Sequence, residues 1–138
     1  MTNEACALAS LEAVYLKMVE ASPDAKIVID TKGRIIVFNA QAELLFGRAR
    51  EEVVGQEVEV LIPEAVRNDH VHHRTSYLAA PKTREMGTGQ PLNGVDRDGN
   101  EFPVQIKLAP FTVAGRGKLV MAVVRRVGDT EPNQRGAS

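Results

Sequence analysis

The hydrophobic positions fall into blocks whose period changes along the chain. Leu8, Leu11, Tyr15 and Met18 are spaced three, four and three residues apart, the period of one narrow helical face. Ala5, Ala7, Ala9 and Ala13 favour the same conformation. Ser22-Pro23-Asp24 ends it, because proline has no N–H and restricts the residue before it. Two heptads are too short to stand alone, so this helix is expected to pack either on the domain's own sheet or on its counterpart in a dimer.

Beyond Pro23 the period shortens. Lys26 to Asp30 and Arg34 to Asn39 are β-branched runs joined by Thr31-Lys32-Gly33, a hairpin pattern. Asn39 is placed to cap a short helix over Gln41 to Phe46 that Gly47 closes. Glu51 to Gly55 adds one turn, and Leu61-Ile62-Pro63-Glu64 opens a longer helical segment running to about Ala80, with Pro63 in its first turn. Pro81 to Gly89 is expected to be loop or broken helix. Three strands follow, at Pro91 to Val95, Glu101 to Phe111 and Lys118 to Val127, separated by turns at Arg97-Asp98-Gly99-Asn100 and Ala114-Gly115-Arg116-Gly117. Within the second of them, Phe102, Val104, Ile106 and Leu108 alternate with Pro103, Gln105 and Lys107, so one face is dry and the other wet. Two hairpin groups around short helices predict an α+β fold with one antiparallel sheet.

Composition narrows the function classes. The 138 residues suit one domain. Seventeen basic residues against eighteen acidic give a formal charge of −1, which argues against a nucleic-acid partner or polybasic membrane attachment. No apolar run reaches the roughly 18 residues of a membrane span, and Glu4, Glu12 and Lys17 interrupt any signal peptide. Cys6 stands alone, with no partner for a disulfide or a CxxC site. A cytoplasmic module is the expectation.

The stretch SPDAKIVIDTKGRIIVFNAQAELLFGRAREEVVGQ, followed at the right distance by GVDRDGNEFPVQIKLAPF, resembles the PAS sensory family. The first block is similar to that family's opening hairpin, Phe-Asn corner and following helix; the second is similar to its Asp-Gly hairpin. The resemblance implies a five-stranded antiparallel sheet cupping short helices over residues 23–127, with 1–22 as an amphipathic flanking helix and 128–138 as a flexible tail or linker. It implies a non-enzymatic sensor that responds to a small ligand or a partner. Such a sensor regulates an effector, such as a two-component histidine kinase, through dimerisation or conformational change. Leu8, Leu11, Tyr15 and Met18 would then form the homodimer seam. A ligand-free interaction module is the alternative on the same fold.

All three histidines sit in Asp69-His70-Val71-His72-His73. On a helix, His70 and His73 share a face, but no third ligand follows at helical spacing, so zinc chemistry has little support. LIPEAVRNDHVHHRTSYL is similar to the helix of rhizobial-type haem PAS oxygen sensors, and the resemblance puts their axial histidine on His70. It also puts Gln90 where those sensors bind oxygen through arginine, and Glu85 where they have an apolar pocket residue. Haem is thus the cofactor that the resemblance brings in; the alternative is that no cofactor is bound and His70 and His73 cap or hydrogen-bond within this segment. A pocket is expected to have Ile27, Ile29, Val37, Leu44, Leu45, Ile62, Ile106, Leu108 and Val123 as its lining and His70, Tyr77 and Gln90 as polar contacts. The flavin photoreceptor reading lacks its middle-helix cysteine. Arg84 to Gly89 lacks the strand and Gly-Lys-(Ser/Thr) ending of a phosphate loop, and no Ser or Cys has a hydrolase setting.

Overall fold

The computed structural model describes residues 13–86 and 92–127. Leu8, Leu11, Gln90, Cys6 and the 128–138 segment lie outside the described residues. A helix, α1, covers residues 13–21. Strands β1 (Ala25–Ile29) and β2 (Ile35–Phe38) follow, then helices α2 (Ala40–Phe46) and α3 (Arg50–Val53). Two 3-10 turns, Val58–Leu61 and Glu64–Val66, lead into α4 (Arg67–Ala79), and the chain finishes with β3 (Arg84–Met86), β4 (Leu92–Val95), β5 (Glu101–Val113) and β6 (Gly117–Arg126).

All strands join one antiparallel sheet in the order β2-β1-β6-β5-β3, with β4 also on β5. The expected five strand positions are there, the last shared by two short strands on one edge of β5. β4 pairs Leu92 with Val104 and Gly94 with Phe102, whereas β3 pairs Arg84 with Leu108 and Met86 with Ile106. Strand β3 corrects the loop expected there. Arg84-Glu85-Met86 has no β-branched residue, and it becomes a strand because β5 offers an unpaired edge, an instance of context overriding propensity. The helical segment expected from Leu61 starts later, since Pro63 is extended (ψ 138°) and leaves only a 3-10 turn between itself and α4.

Asn39 is the joint on which these elements meet. It is fully buried, and its Oδ1 accepts from the Ala42 N–H at 3.0 Å, the N-cap bond the sequence predicts. The same oxygen accepts from the Lys26 N–H at 2.9 Å. Its Nδ2 donates to the carbonyls of Val19 at 2.8 Å and Asp24 at 3.0 Å. One side chain therefore ties α1, β1 and α2 together, with every hydrogen-bonding group of the amide used. Arg50 adds a second tie to α1. Its guanidinium holds the Glu20 carboxylate in a two-pronged pair (2.9 and 2.5 Å) and reaches Glu43 at 3.2 Å.

The core lies between the sheet and the short helices. Ile27, Phe38, Phe102, Val104 and Val124 face Ala42, Phe46, Val53 and Leu61. Phe46 sits between Phe38 and Phe102, with ring centroids 6.0 and 5.5 Å away; this tilted packing suits the ring quadrupoles. Gly94 makes room for it: a Cβ there would come within 2.9 Å of Phe46 Cε1. Three members of the expected lining are elsewhere. Val37 pairs with Val28, and Val123 with Lys26 and Lys107, which puts both on the opposite sheet face from Ile27. Leu44 is 75% exposed, because a seven-residue helix turns only Ala42, Leu45 and Phe46 inward.

Candidate ligand-sensing site

Helix α4 carries His70 and Tyr77, and it is built unlike the rest of the protein. None of its side chains is fully buried. Its inward row (Arg67, His70, Val71, Arg74, Tyr77 and Leu78) is half-buried, and its anchors are polar. Arg67 Nε donates to the Ile62 carbonyl at 2.8 Å. Arg74 donates through Nε and Nη2 to the two oxygens of Glu59 at 2.9 and 3.0 Å, the planar fork that matches a carboxylate. Arg74 Nη1 donates to the Lys32 carbonyl in the β1–β2 turn at 3.0 Å. His70 Nδ1 lies 2.6 Å from Glu59 Oε2, and since a carboxylate only accepts, Nδ1–H is the donor.

Glu59, on the first 3-10 turn, is 5% exposed. Burial works against its charge, but the hydrogen bonds from Arg74 and then His70 outweigh it and hold the carboxyl below the usual carboxylate range. At the other end of α4 the Tyr77 hydroxyl donates to the Lys82 carbonyl, and burial pushes the phenol above its ordinary value. The proton of that hydroxyl is given to the protein's own chain, which leaves its oxygen as an acceptor only.

Strand β5 supplies Ile106 and Leu108. Both lie on the core-facing side, paired with Val124 and Ala122 of β6, and both are only half-buried. Glu85 pairs in register with Lys107 and its carboxylate meets that ammonium at 3.3 Å. It therefore projects from the opposite face, away from Ile106 and Leu108. The structure brings His70 and Tyr77 onto one helical row and Ile106 and Leu108 onto one strip of sheet. His72 and His73 are exposed, and among the described residues no three His, Cys, Asp or Glu side chains converge as a metal cage. Sequence reasoning missed Glu59 and Arg74. The only signal was the four-residue spacing of His70 and Arg74, which puts two donors on one helical face.

At α1 the residues expected to pack are uncovered. Tyr15 is 57% and Met18 60% exposed, so this part of the stripe does not use the domain's own sheet. Among the described residues no helix is long and apolar enough to cross a membrane.

The site is thus set on an antiparallel sheet of five positions with short helices packed against its core-facing side. The model of the PAS fold family matches residues 14–127, and the chain belongs to that family. It is 34% identical over 109 residues to the sensor protein FixL of Bradyrhizobium diazoefficiens, an alignment covering 79% of this chain and 22% of that protein. It is 25% identical over 105 residues to the oxygen sensor protein DosP of Escherichia coli, covering 76% of this chain and 13% of that one. The chain thus spans less than a quarter of these curated relatives. Among solved structures, the PAS domain of an HTR-like protein from Haloarcula marismortui superposes with a TM-score of 0.71 at 20% identity, covering 90% of this chain and 98% of that one.

Proposed function

We propose that residues 23–127 are a sensory unit that takes up a small ligand between α4 and the Ile106–Leu108 strip of β5. In this reading the unit is not catalytic. It acts as a homodimer through the flanking segment of residues 1–22, in the cytoplasm, and passes the signal to an effector such as a histidine kinase. Two observations carry the reading: α4 is anchored by polar bonds with no residue fully buried, and Ile106 and Leu108 on the core-facing side of β5 stop short of full burial. Exposed Tyr15 and Met18 support the dimer, as charge-free positions on one helical face. Native mass spectrometry of the purified protein tests the ligand. The expected result is a bound mass that disappears in Leu108→Trp, whose larger side chain fills the strip. No bound mass, with Leu108→Trp unchanged in stability, would make the domain a ligand-free interaction module.

A second reading, haem as the ligand, is favoured by His70. With Nδ1–H given to Glu59, Nε2 is the ring nitrogen left for an axial bond, and the carboxylate fixes the tautomer and orientation of the ring. Ile106 and Leu108 offer an apolar wall and Glu85 is turned out, so the residues present fit the group. When bound, haem would supply reversible ligation of a diatomic gas or a redox change at iron. The chain's own part would be to hold the imidazole through Glu59 and to keep water from the strip. Protein expressed with haem precursor, or mixed with haemin, should show a Soret band that His70→Ala abolishes. A flat spectrum in both samples refutes this reading and leaves the colourless-ligand one standing.

A further inference from the structure

We propose that α4 is a lid held shut by a single latch, the Glu59 carboxylate, and that releasing this latch frees the helix as a unit without unfolding the sheet. The inference rests on the reading of α4 as the border of the ligand space.

Three observations converge on it. First, no residue of α4 is fully buried; Val71, Tyr77 and Leu78 are only partly covered, so its docking leans on the polar anchors. Second, the cross-element anchors of its middle turns meet at one group: His70 and both prongs of Arg74 end on Glu59. The Glu59 and Arg74 side chains are 7% and 11% exposed, so water cannot readily replace either partner, and the pair is made or broken as a whole. Third, the helix has irregular backbone at both ends. Val66 precedes it at φ −114°, ψ 9°, and Ala80 follows it at φ −148°, ψ 71°, joints at which a rigid helix can swing.

The latch also reaches a second element. The Arg74 guanidinium lies flat on Gly33, where a Cβ would come 2.2 Å from Nη1 and 2.3 Å from Cζ, and Nη1 is hydrogen-bonded to Lys32. A side chain at Gly33 would evict the guanidinium from its seat. The latch can therefore be opened from the hairpin as well as from Glu59. Opening uncovers the side of β5 that carries Ile106 and Leu108. Arg84, opposite Leu108 in β3, already lies close enough to Tyr77 of α4 for its charge to act on that hydroxyl.

Hydrogen exchange read by mass spectrometry tests the latch with no ligand present, so its outcome is separate from the mass-spectrometric search for a ligand. In Glu59→Gln the peptides spanning α4 should exchange at least about tenfold faster, the ratio expected when charge-assisted bonds to a buried group are lost, while β5 and β6 keep their protection. Arg74→Lys, which keeps the charge and loses the fork, should do the same and serves if Glu59→Gln does not fold. The fluorescence of 1-anilinonaphthalene-8-sulfonate should rise severalfold in Glu59→Gln and not in Glu57→Gln, whose carboxylate is 56% exposed and stands 3.8 Å from Arg74. Unchanged exchange in α4 overturns the proposal. So does acceleration of α4 and β5–β6 together, because the helix would then belong to the global unfolding unit.

Discussion

Replacing Asn39 by alanine probes the joint between α1, β1 and α2, and the structure sets its cost. The side chain is fully buried and makes four hydrogen bonds. The bond to Ala42 is an N-cap, whose loss costs about 1 kcal/mol. Of the other three, the Lys26 N–H and the Asp24 carbonyl lose their partner, at roughly 1 kcal/mol or more each where water cannot enter, whereas the Val19 carbonyl keeps the Ser22 N–H at 3.3 Å. The sum is about 3 kcal/mol, a large part of the ~5–15 kcal/mol that holds a domain together. Equilibrium urea unfolding followed by circular dichroism measures it. Asn39→Ser restores the cap but is too short to bridge to Lys26 and Val19, so it should recover only about 1 kcal/mol of the loss. If Asn39→Ser is nearly as stable as wild type, or Asn39→Ala costs less than ~1 kcal/mol in all, the residue is only a helix cap and the three-element joint is wrong.

Three further outcomes follow from the same packing and charge arguments. Gly94→Ala pushes a methyl to 2.9 Å from Phe46 and 3.2 Å from Phe102, and thermal unfolding should show a loss of about 1–3 kcal/mol from overpacking. Asp96 accepts from the Asn100 N–H, the Asn100 side chain and the Asp98 N–H, which hold its carboxyl below the usual 3.8. Its contribution is therefore complete above that value and disappears as pH falls through the lower folded one. Asp96→Asn should accordingly be less stable than wild type near neutrality, with the gap closing toward pH 2; melting curves across that range check it, and a constant gap would contradict the assignment. Tyr15→Glu sets a charge on the exposed face of α1 and tests the proposed homodimer: light scattering should show a dimer for wild type and a shift toward monomer for the variant, since an apolar seam does not tolerate an unpaired charge.

Much of the sheet was legible because its signals are local. Asn39 precedes an apolar helix at the N-cap position, Asp98-Gly99 supplies the turn of a hairpin with Gly99 at φ +85°, and the alternation from Phe102 to Leu108 sets the face that each residue takes. β3 was hidden, since its residues carry no strand signal and its only cause is the free edge of β5. The site was half legible. His70 and the Ile106–Leu108 strip can be read from pattern and resemblance, but Glu59 looks like one more solvated acid beside Glu57. Its burial is created by Arg74, fifteen residues away, and no local period reports a pairing of that range. Val37 and Val123 were misplaced for a similar reason: a one-residue difference in register decides the face, and that register belongs to the partner strands.

The two ties on the last turn of α1, through Asn39 to Val19 and through Arg50 to Glu20, have a mechanical consequence. They fasten the helix at one end, so it works as a lever whose fulcrum is set in the domain. At 1.5 Å of rise per residue, the nine helical residues of 13–21 make an arm of about 13 Å. A tilt of roughly ten degrees at the fulcrum would carry its far end about 2 Å, which is comparable to the helix shifts that repack interfaces in allosteric proteins. A sub-ångström change at β1 or α2 therefore need not travel through the sheet to be felt elsewhere, because its leverage is built into the arm.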